Sequence, residues 1–101
     1  MLKQMHLGVF VQATGHHVSG WRVPEAETGS ENLALLQKIA AIAERGKFDL
    51  FFLADGLTSS LTAHPSTMVR FEPTTLLGAI AMSTRHIGLA ATVSKIGRAV
   101  V

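Results

Sequence analysis

FDLFFLADGL, residues 48 to 57, is an apolar run that stops at an aspartate followed by a glycine. A short run of this kind is typical of a strand buried on both faces of a parallel sheet, rather than of an alternating, half-exposed strand. We therefore predict a strand over residues 49 to 54. Asp55 then stands directly beyond the end of that strand.

Related patterns flank this strand along the chain. Two further apolar runs rich in Val and Phe or in small residues predict strands, and two segments with apolar residues at three-to-four spacing predict helices. The order is β-α-β-α-β, which favours an α/β fold whose strands are parallel neighbours joined by helical crossovers. The predicted strands are 5 to 11, 49 to 54 and 87 to 92, and the predicted helices are 32 to 45 and 73 to 84.

Local signals suggest where the helices begin and end. Ser30 is placed to cap the first helix, and Gly46 stands where a left-handed residue commonly ends one. Pro73 suits the first position of the second helix, and Arg85 offers a cation near its carboxyl end.

Composition excludes several classes of protein. The chain has 101 residues, which allows one domain at most, and its net charge of +2 comes with no basic stripe that would indicate nucleic-acid binding. Cysteine is absent, so there are no disulfides. No export signal and no apolar run near 20 residues is present, so we expect a cytoplasmic protein that does not span a membrane.

Polar residues follow the predicted strands at their carboxyl ends, where parallel α/β folds place their ligand sites. They are Asp55 after the second strand and Thr92 and Ser94 after the third. The loop TGHHVSGWR, residues 14 to 22, follows the first strand. An Asp-Gly pair after a strand is also a common turn, in which the aspartate bonds to nearby backbone amides, so a structural role for Asp55 stays open.

The loop carries two adjacent histidines, His16 and His17, and the single tryptophan, Trp21. Neighbouring histidines cannot easily direct both rings to one ion, and no other ligand spacing accompanies them, so we predict no metal centre. Trp21 either anchors the loop by burial or walls a ligand pocket. The glycine fingerprint of a dinucleotide site is missing after the first strand, which disfavours a Rossmann fold.

Four blocks of the sequence together resemble the amino-terminal part of the bacterial-luciferase-like, two-component flavin-dependent monooxygenases. The nearest branch is the group that acts on nitrilotriacetate and dibenzothiophene sulfone. The blocks occur in the same order and are ATGHHVSGWR (13 to 22), AERGKFDLFFLADGL (43 to 57), RFEPTTLLGAIA (70 to 81) and RHIGLAATVS (85 to 94).

The resemblance implies a TIM-type (β/α)8 barrel that uses reduced FMN from a separate flavin reductase, together with O2, to oxygenate a small organic molecule. It implies a cofactor-binding role for Asp55, Thr92 and Ser94. The loop with His16, His17 and Trp21 would then close over the substrate.

A closed barrel of this type takes ~250 residues. This chain has room for about three of the eight βα units, so we expect residues 1 to 101 to form one partial barrel domain, an amino-terminal portion that matches the family to about residue 94. The tail KIGRAVV, residues 95 to 101, diverges from it. The alternative is a non-catalytic α/β fragment, and in either case uncovered strand edges favour a homo-oligomer.

Overall fold

The computed structural model describes residues 2–12, 15–17, 19–26, 32–55 and 71–93. Within these ranges the chain forms three strands, two α-helices and one short 3-10 turn, Gly20–Arg22. In chain order the regular elements are β1 (Gly8–Phe10), α1 (Leu33–Arg45), β2 (Leu50–Leu53), α2 (Pro73–Ala81) and β3 (Gly88–Ala91).

The strands form one parallel sheet in the order β1-β2-β3. Val9 is opposite Phe51, and Phe51 is opposite Leu89. The predicted α/β order and the parallel pairing are therefore confirmed. Each strand is shorter than predicted, because the outer residues of each apolar run make only isolated hydrogen bonds, such as those from Val11 N–H to the Phe52 carbonyl and from Thr92 N–H to the Leu53 carbonyl.

Both helices pack on the same face of the sheet. They contact each other, and their buried residues join one cluster with alternate residues of the strands. Phe51 and Ile80 are fully buried at its centre. The other members of this cluster are Val11, Leu36, Ala40, Ala43, Leu53, Leu76 and Ile87.

The opposite face of the sheet is apolar but exposed. Side chains alternate along a strand, so Phe10, Leu50 and Phe52 point away from the helices. Phe10 is 45% exposed and Leu50 is 38% exposed. The prediction of strands covered on both faces is therefore met on one face only within the part of the chain that the structure describes.

The ends of α1 differ from the predicted ones. Its cap is Asn32, whose Oδ1 accepts the Leu35 N–H at 3.0 Å, rather than Ser30, which lies outside the described residues. The left-handed residue is Lys47, with φ of 64°, whereas Gly46 has an ordinary φ of −78°. The reason is that Phe48 N–H bonds to the Ala43 carbonyl and Lys47 N–H to the Glu44 carbonyl, a Schellman motif that puts the left-handed turn one residue later.

The start of α2 is as predicted, and its end is not. Pro73 occupies the first turn, and the Glu72 carboxylate accepts the backbone N–H groups of Thr74 and Thr75. The helix stops at Ala81, so Arg85 does not lie in its last turn. Hydroxyl groups of Ser83 and Thr84 donate instead to the Ile80 carbonyl at that end. With 13 and 9 residues, the two described helices are too short to cross a bilayer, which needs ~20 apolar residues.

Two carboxylates fix the amino-terminal edge of the sheet. Glu44 Oε2, at the end of α1, accepts the backbone N–H groups of Arg85, His86 and Ile87 at 2.7, 2.6 and 3.1 Å. Asp49 Oδ2 accepts the Leu7 N–H at 2.9 Å. The first contact binds the segment that leads into β3 to the end of α1. The second binds the segment that leads into β1 to Asp49, the residue directly before β2.

Gly88 approaches the chain at the start of β2 closely: its N–H donates to the Asp49 carbonyl at 2.8 Å. A Cβ atom on Gly88 would stand 2.9 Å from that same oxygen. We predict that Gly88→Ala lowers the free energy of unfolding by about 1–3 kcal/mol, measured by urea denaturation. The matched control is Gly78→Ala in α2, where a Cβ meets nothing within 4 Å and the better helix propensity should stabilise by about 0.5–1 kcal/mol. Equal shifts in the two variants would contradict the close approach.

The second prediction concerns acid stability. Hydrogen bonds from the backbone of His86, then Ile87 and Arg85, lower the pKa of Glu44 from 4.5 to about 2. A pKa lowered by folding gives stability that is complete above pH 4.5 and is lost as the pH falls through about 2. Glu44→Gln should therefore lower stability at neutral pH and lose less of it on acidification.

The measurement is the thermal midpoint of wild type and variant from neutral pH to about pH 2. Glu72, whose pKa is also about 2 because of Thr74 and Thr75, keeps part of the acid dependence in the variant. Glu25→Gln, at an exposed position, serves as the charge-matched control. A wild-type advantage of the same size at every pH would rule out the carboxylate as its source.

Candidate functional site

The carboxyl ends of the three strands meet at one edge of the sheet, which we call the carboxyl edge: Phe10, Leu53 and Ala91 with the residues that follow them. Thr92 N–H donates to the Leu53 carbonyl at 2.9 Å, which extends the β2–β3 ladder one residue beyond β3. Thr92 therefore lies beside the chain that leads to Asp55, two residues past β2. Asp55 is half-buried, and Thr92 is exposed.

The structure thus places two of the three predicted cofactor-binding residues, Asp55 and Thr92, at the same edge on neighbouring strands. The third, Ser94, lies outside the described residues. The binding role of all three stays a prediction.

His16 reaches the same edge from the loop after β1. Its Nε2 lies 3.0 Å from the Phe10 carbonyl oxygen, and its ring meets the Phe10 ring edge-on, with centroids 4.9 Å apart. The Phe10 ring in turn lies 5.3 Å from that of Phe52. We call these three side chains, Phe10, Phe52 and His16, the aromatic ledge. Its two phenylalanines stand on the sheet face that carries no helix.

His17 and Trp21 lie in the turn that follows. His17 Nδ1 accepts the Ser19 N–H at 3.1 Å, and its carbonyl accepts the Gly20 N–H at 3.3 Å. Trp21 is half-buried, and the Arg22 guanidinium lies 4.9 Å from its ring. The adjacent histidines therefore make separate contacts: His16 bonds to the end of β1, and His17 bonds within the turn.

Sequence reasoning missed the phenylalanines of the ledge, because it treated both as ordinary strand core. The signal was present: Phe52 follows Phe51, so only one of the two can face the helices. The residue opposite Phe52 in the register is Phe10.

The amino-terminal end of the sheet has an open groove of about 590 Å³ between α1 and the entries to β2 and β3. Its carboxylates are committed to the fold: Glu44 to three backbone N–H groups, and Asp49 to the Leu7 N–H and to His6 Nδ1 at 3.4 Å. In the described ranges, no group of three His, Asp or Glu side chains is placed to hold a metal ion. The carboxyl edge is therefore the better candidate for binding.

Comparison with known proteins shows the family of the chain. Residues 5–101 match the family model described as luciferase-like monooxygenase. The chain belongs to this family. The match covers almost all of the chain, so it includes the described part of the carboxyl edge.

Three relatives of the chain are named as monooxygenases of different kinds. It is 52% identical over 93 residues to the N-acetyl-S-(2-succino)cysteine monooxygenase of Bacillus subtilis (strain 168), covering 91% of the chain and 21% of the relative. It is 38% identical over 105 residues to nitrilotriacetate monooxygenase component A of Aminobacter aminovorans, covering 89% and 23%. It is 35% identical over 104 residues to the dibenzothiophene-sulfone monooxygenase of Rhodococcus erythropolis (strain XP), covering 91% and 23%.

The chain thus spans about a fifth to a quarter of the length of these relatives and matches their amino-terminal part. The resemblance inferred from the sequence, to the nitrilotriacetate and dibenzothiophene-sulfone monooxygenase group, is confirmed.

Proposed function

We propose that this chain is the amino-terminal part of a flavin-dependent monooxygenase that uses reduced FMN and O2 to oxygenate a small organic molecule. The observation that carries the proposal is the meeting of Asp55, Thr92 and the aromatic ledge at the carboxyl edge in a chain of the luciferase-like family. A flavin reductase would supply the reduced cofactor, and we propose the cytoplasm as the compartment.

The full fold that we propose is a closed (β/α)8 barrel. Strands in sequential order, with both helices on one face, are what a barrel wall requires, since its helices all lie outside. The apolar, helix-free face with Phe10 and Leu50 would then face the barrel interior, which in this fold is packed with side chains. The strands that close the barrel would belong to a longer protein of the relatives' length.

The residues present suit the ring part of a flavin. An isoalloxazine needs apolar surface along its faces and hydrogen-bonding groups along its edge. The exposed ring of Phe10 offers the first, and Asp55 and Thr92 offer the second. When bound, reduced FMN would supply the reaction with O2. The chain's own part would be to orient the ring, and the loop with His17 and Trp21 would exclude water over the substrate.

A second candidate function comes from the same exposed face. A three-stranded sheet on its own, with Phe10, Leu50 and Val93 exposed as in the described residues, would associate with copies of itself and have no catalytic role. This alternative predicts that the isolated chain is an oligomer. The first proposal predicts that the cofactor site of the isolated chain is incomplete.

The third prediction separates an incomplete site from a finished one. A barrel site draws on several strands, so the purified 101-residue chain should bind FMN weakly, with a dissociation constant well above micromolar. Flavin fluorescence titration measures this, and size-exclusion chromatography of the same sample reports self-association. Sub-micromolar binding by this chain alone would contradict the partial-barrel proposal.

The fourth prediction tests Asp55 in a complete protein. The matched region of the Bacillus subtilis relative is replaced by the residues of this chain, which is practical at 52% identity. Asp55→Asn keeps the size and hydrogen bonding of the side chain and removes its charge. If the carboxylate positions reduced flavin, affinity for reduced FMN and turnover of N-acetyl-S-(2-succino)cysteine should fall about tenfold, while the melting temperature stays near that of the parent.

The control is Thr74→Ser on α2, an exposed position where serine keeps the hydroxyl that donates to Glu72. An Asp55→Asn chimera that unfolds, or one that binds and turns over normally, would return Asp55 to the role of a turn residue.

A further inference from the structure

The helix-free face of the sheet is uneven in shape. In the register of the three strands, Leu50 lies between Gly8 and Gly88. The Leu50 side chain stands beside both glycines: a Cβ atom on Gly8 would be 3.5 Å from Leu50 Cβ, and one on Gly88 would be 3.6 Å from Leu50 Cδ1. This row therefore has one bulky side chain in the middle and none on the strands to either side. Since protein interiors are close-packed, the space over the glycines suits side chains of a covering layer.

The two faces of the sheet differ in how completely they are covered within the described residues. On the helix side, Phe51 and Ile80 are fully buried, and no buried side-chain N or O atom of the described part lacks a hydrogen-bond partner. On the other side, Leu50 is 38% exposed and Phe10 is 45% exposed. The chain thus completes its core on one face and leaves apolar surface on the other for a further layer.

Both edges of the described sheet are open as well. Among the described strands, β1 and β3 each pair with β2 alone, so one side of each backbone has no strand partner. An open edge of this kind accepts a further strand through main-chain hydrogen bonds.

The open face and the two open edges together distinguish between two occupants. A second copy of the chain packed on the face would bury Leu50 and Phe10 but would leave the edges of β1 and β3 unpaired. The remaining strands of a closed barrel would cover the face and pair with both edges at once. The chain covers only 21 to 23% of the three relatives, so the larger part of their length lies outside it.

We propose that the helix-free face and the edges of β1 and β3 form a docking surface for a separate polypeptide that carries the remaining strands of the barrel. The inference rests on the barrel fold proposed above and adds that the chain binds the missing strands without a covalent connection to them. The core between the helices and the sheet is complete without those strands. The docking surface is therefore preformed, which reduces the entropy lost on binding.

The test uses two polypeptides expressed together. One is the 101-residue chain, and the other is the Bacillus subtilis relative from which the matched region has been removed. A tag on the chain should recover both in a one-to-one complex, whose mass is measured by size-exclusion chromatography with light scattering. Recovery of the chain alone or only as oligomers of itself, or a truncated relative that stays insoluble, would overturn the proposal.

Two variants of Leu50 test whether this face carries the contact. Leu50→Lys places a charge at the centre of the surface without a partner, so it should weaken the complex more than about tenfold. Leu50→Ala removes apolar contact without adding charge and should weaken it about tenfold. The matched control is Met82→Lys, because Met82 directly follows α2 and is 89% exposed.

The melting curve of each variant alone, followed by circular dichroism, reports whether it folds. Met82→Lys should bind as the parent chain does. If Leu50→Ala and the parent chain form the complex equally well, the proposal is wrong.

Flavin binding separates this proposal from the function on which it rests. If the two polypeptides form the complex and it does not bind reduced FMN, the docking surface stands and the proposed function is wrong. If they do not associate while the single-chain chimera binds reduced FMN, the function stands and the docking proposal is wrong.

Discussion

The arrangement of the sheet depends on one carboxylate, that of Glu44. Its Oε2 accepts three consecutive backbone N–H groups at the entry to β3, groups that have no strand partner of their own. It thereby holds the end of α1 to the start of β3, which are separated by the whole of β2 and α2 in the sequence. Since parallel strands leave their entry segments unpaired, a charged acceptor at this point stabilises the sheet more than a neutral one would.

Fixing the amino-terminal edge has an effect at the other end of the strands. A parallel strand is a nearly rigid rod of a few residues, so its register at one end sets the position of the residues that follow the other end. The hydrogen bonds of Glu44 and Asp49 hold the entry segments of β3 and β1 in that register. The neighbouring positions of Thr92 and Asp55, and that of the Phe10 ring over Phe52, follow from it. The polar groups at the amino-terminal edge therefore build the sheet, whereas binding by those at the carboxyl edge is what we propose.

The sequence was sufficient for the parts of the fold that local patterns control. Three local patterns each predict an element to within a few residues: the apolar run at 49 to 54, the apolar spacing in α1 and Pro73 in α2. Asn32 is a residue type that commonly caps helices, so the sequence did carry a signal for it. Lys47 could not be predicted, because the carboxyl end of α1 depends on the packing of Phe48 against the core and on the hydrogen bonds it brings.

The positions of the candidate site residues were predictable in part for the same reason. Asp55 and Thr92 follow apolar runs and could be placed at strand ends from the sequence alone. The aromatic ledge could not, since it depends on which of Phe51 and Phe52 faces the helices and on a loop histidine folding back onto β1. Likewise, nothing local in the sequence distinguishes Glu44 from the other acidic residues on the surface.

Glu72 and Glu44, the two strongly hydrogen-bonded glutamates, also differ in the sequence separation between each carboxylate and its donors. Glu72 finds its donors two and three residues away, so α2 can acquire its cap as soon as its first turn forms. Glu44 finds its donors 41 to 43 residues away. A contact of that span must first overcome the entropy of closing a long loop, so it can form only once α2 has brought β3 back to the sheet. The hydrogen bonds of the carboxylate that secures the finished sheet are thus among the last contacts to form during folding.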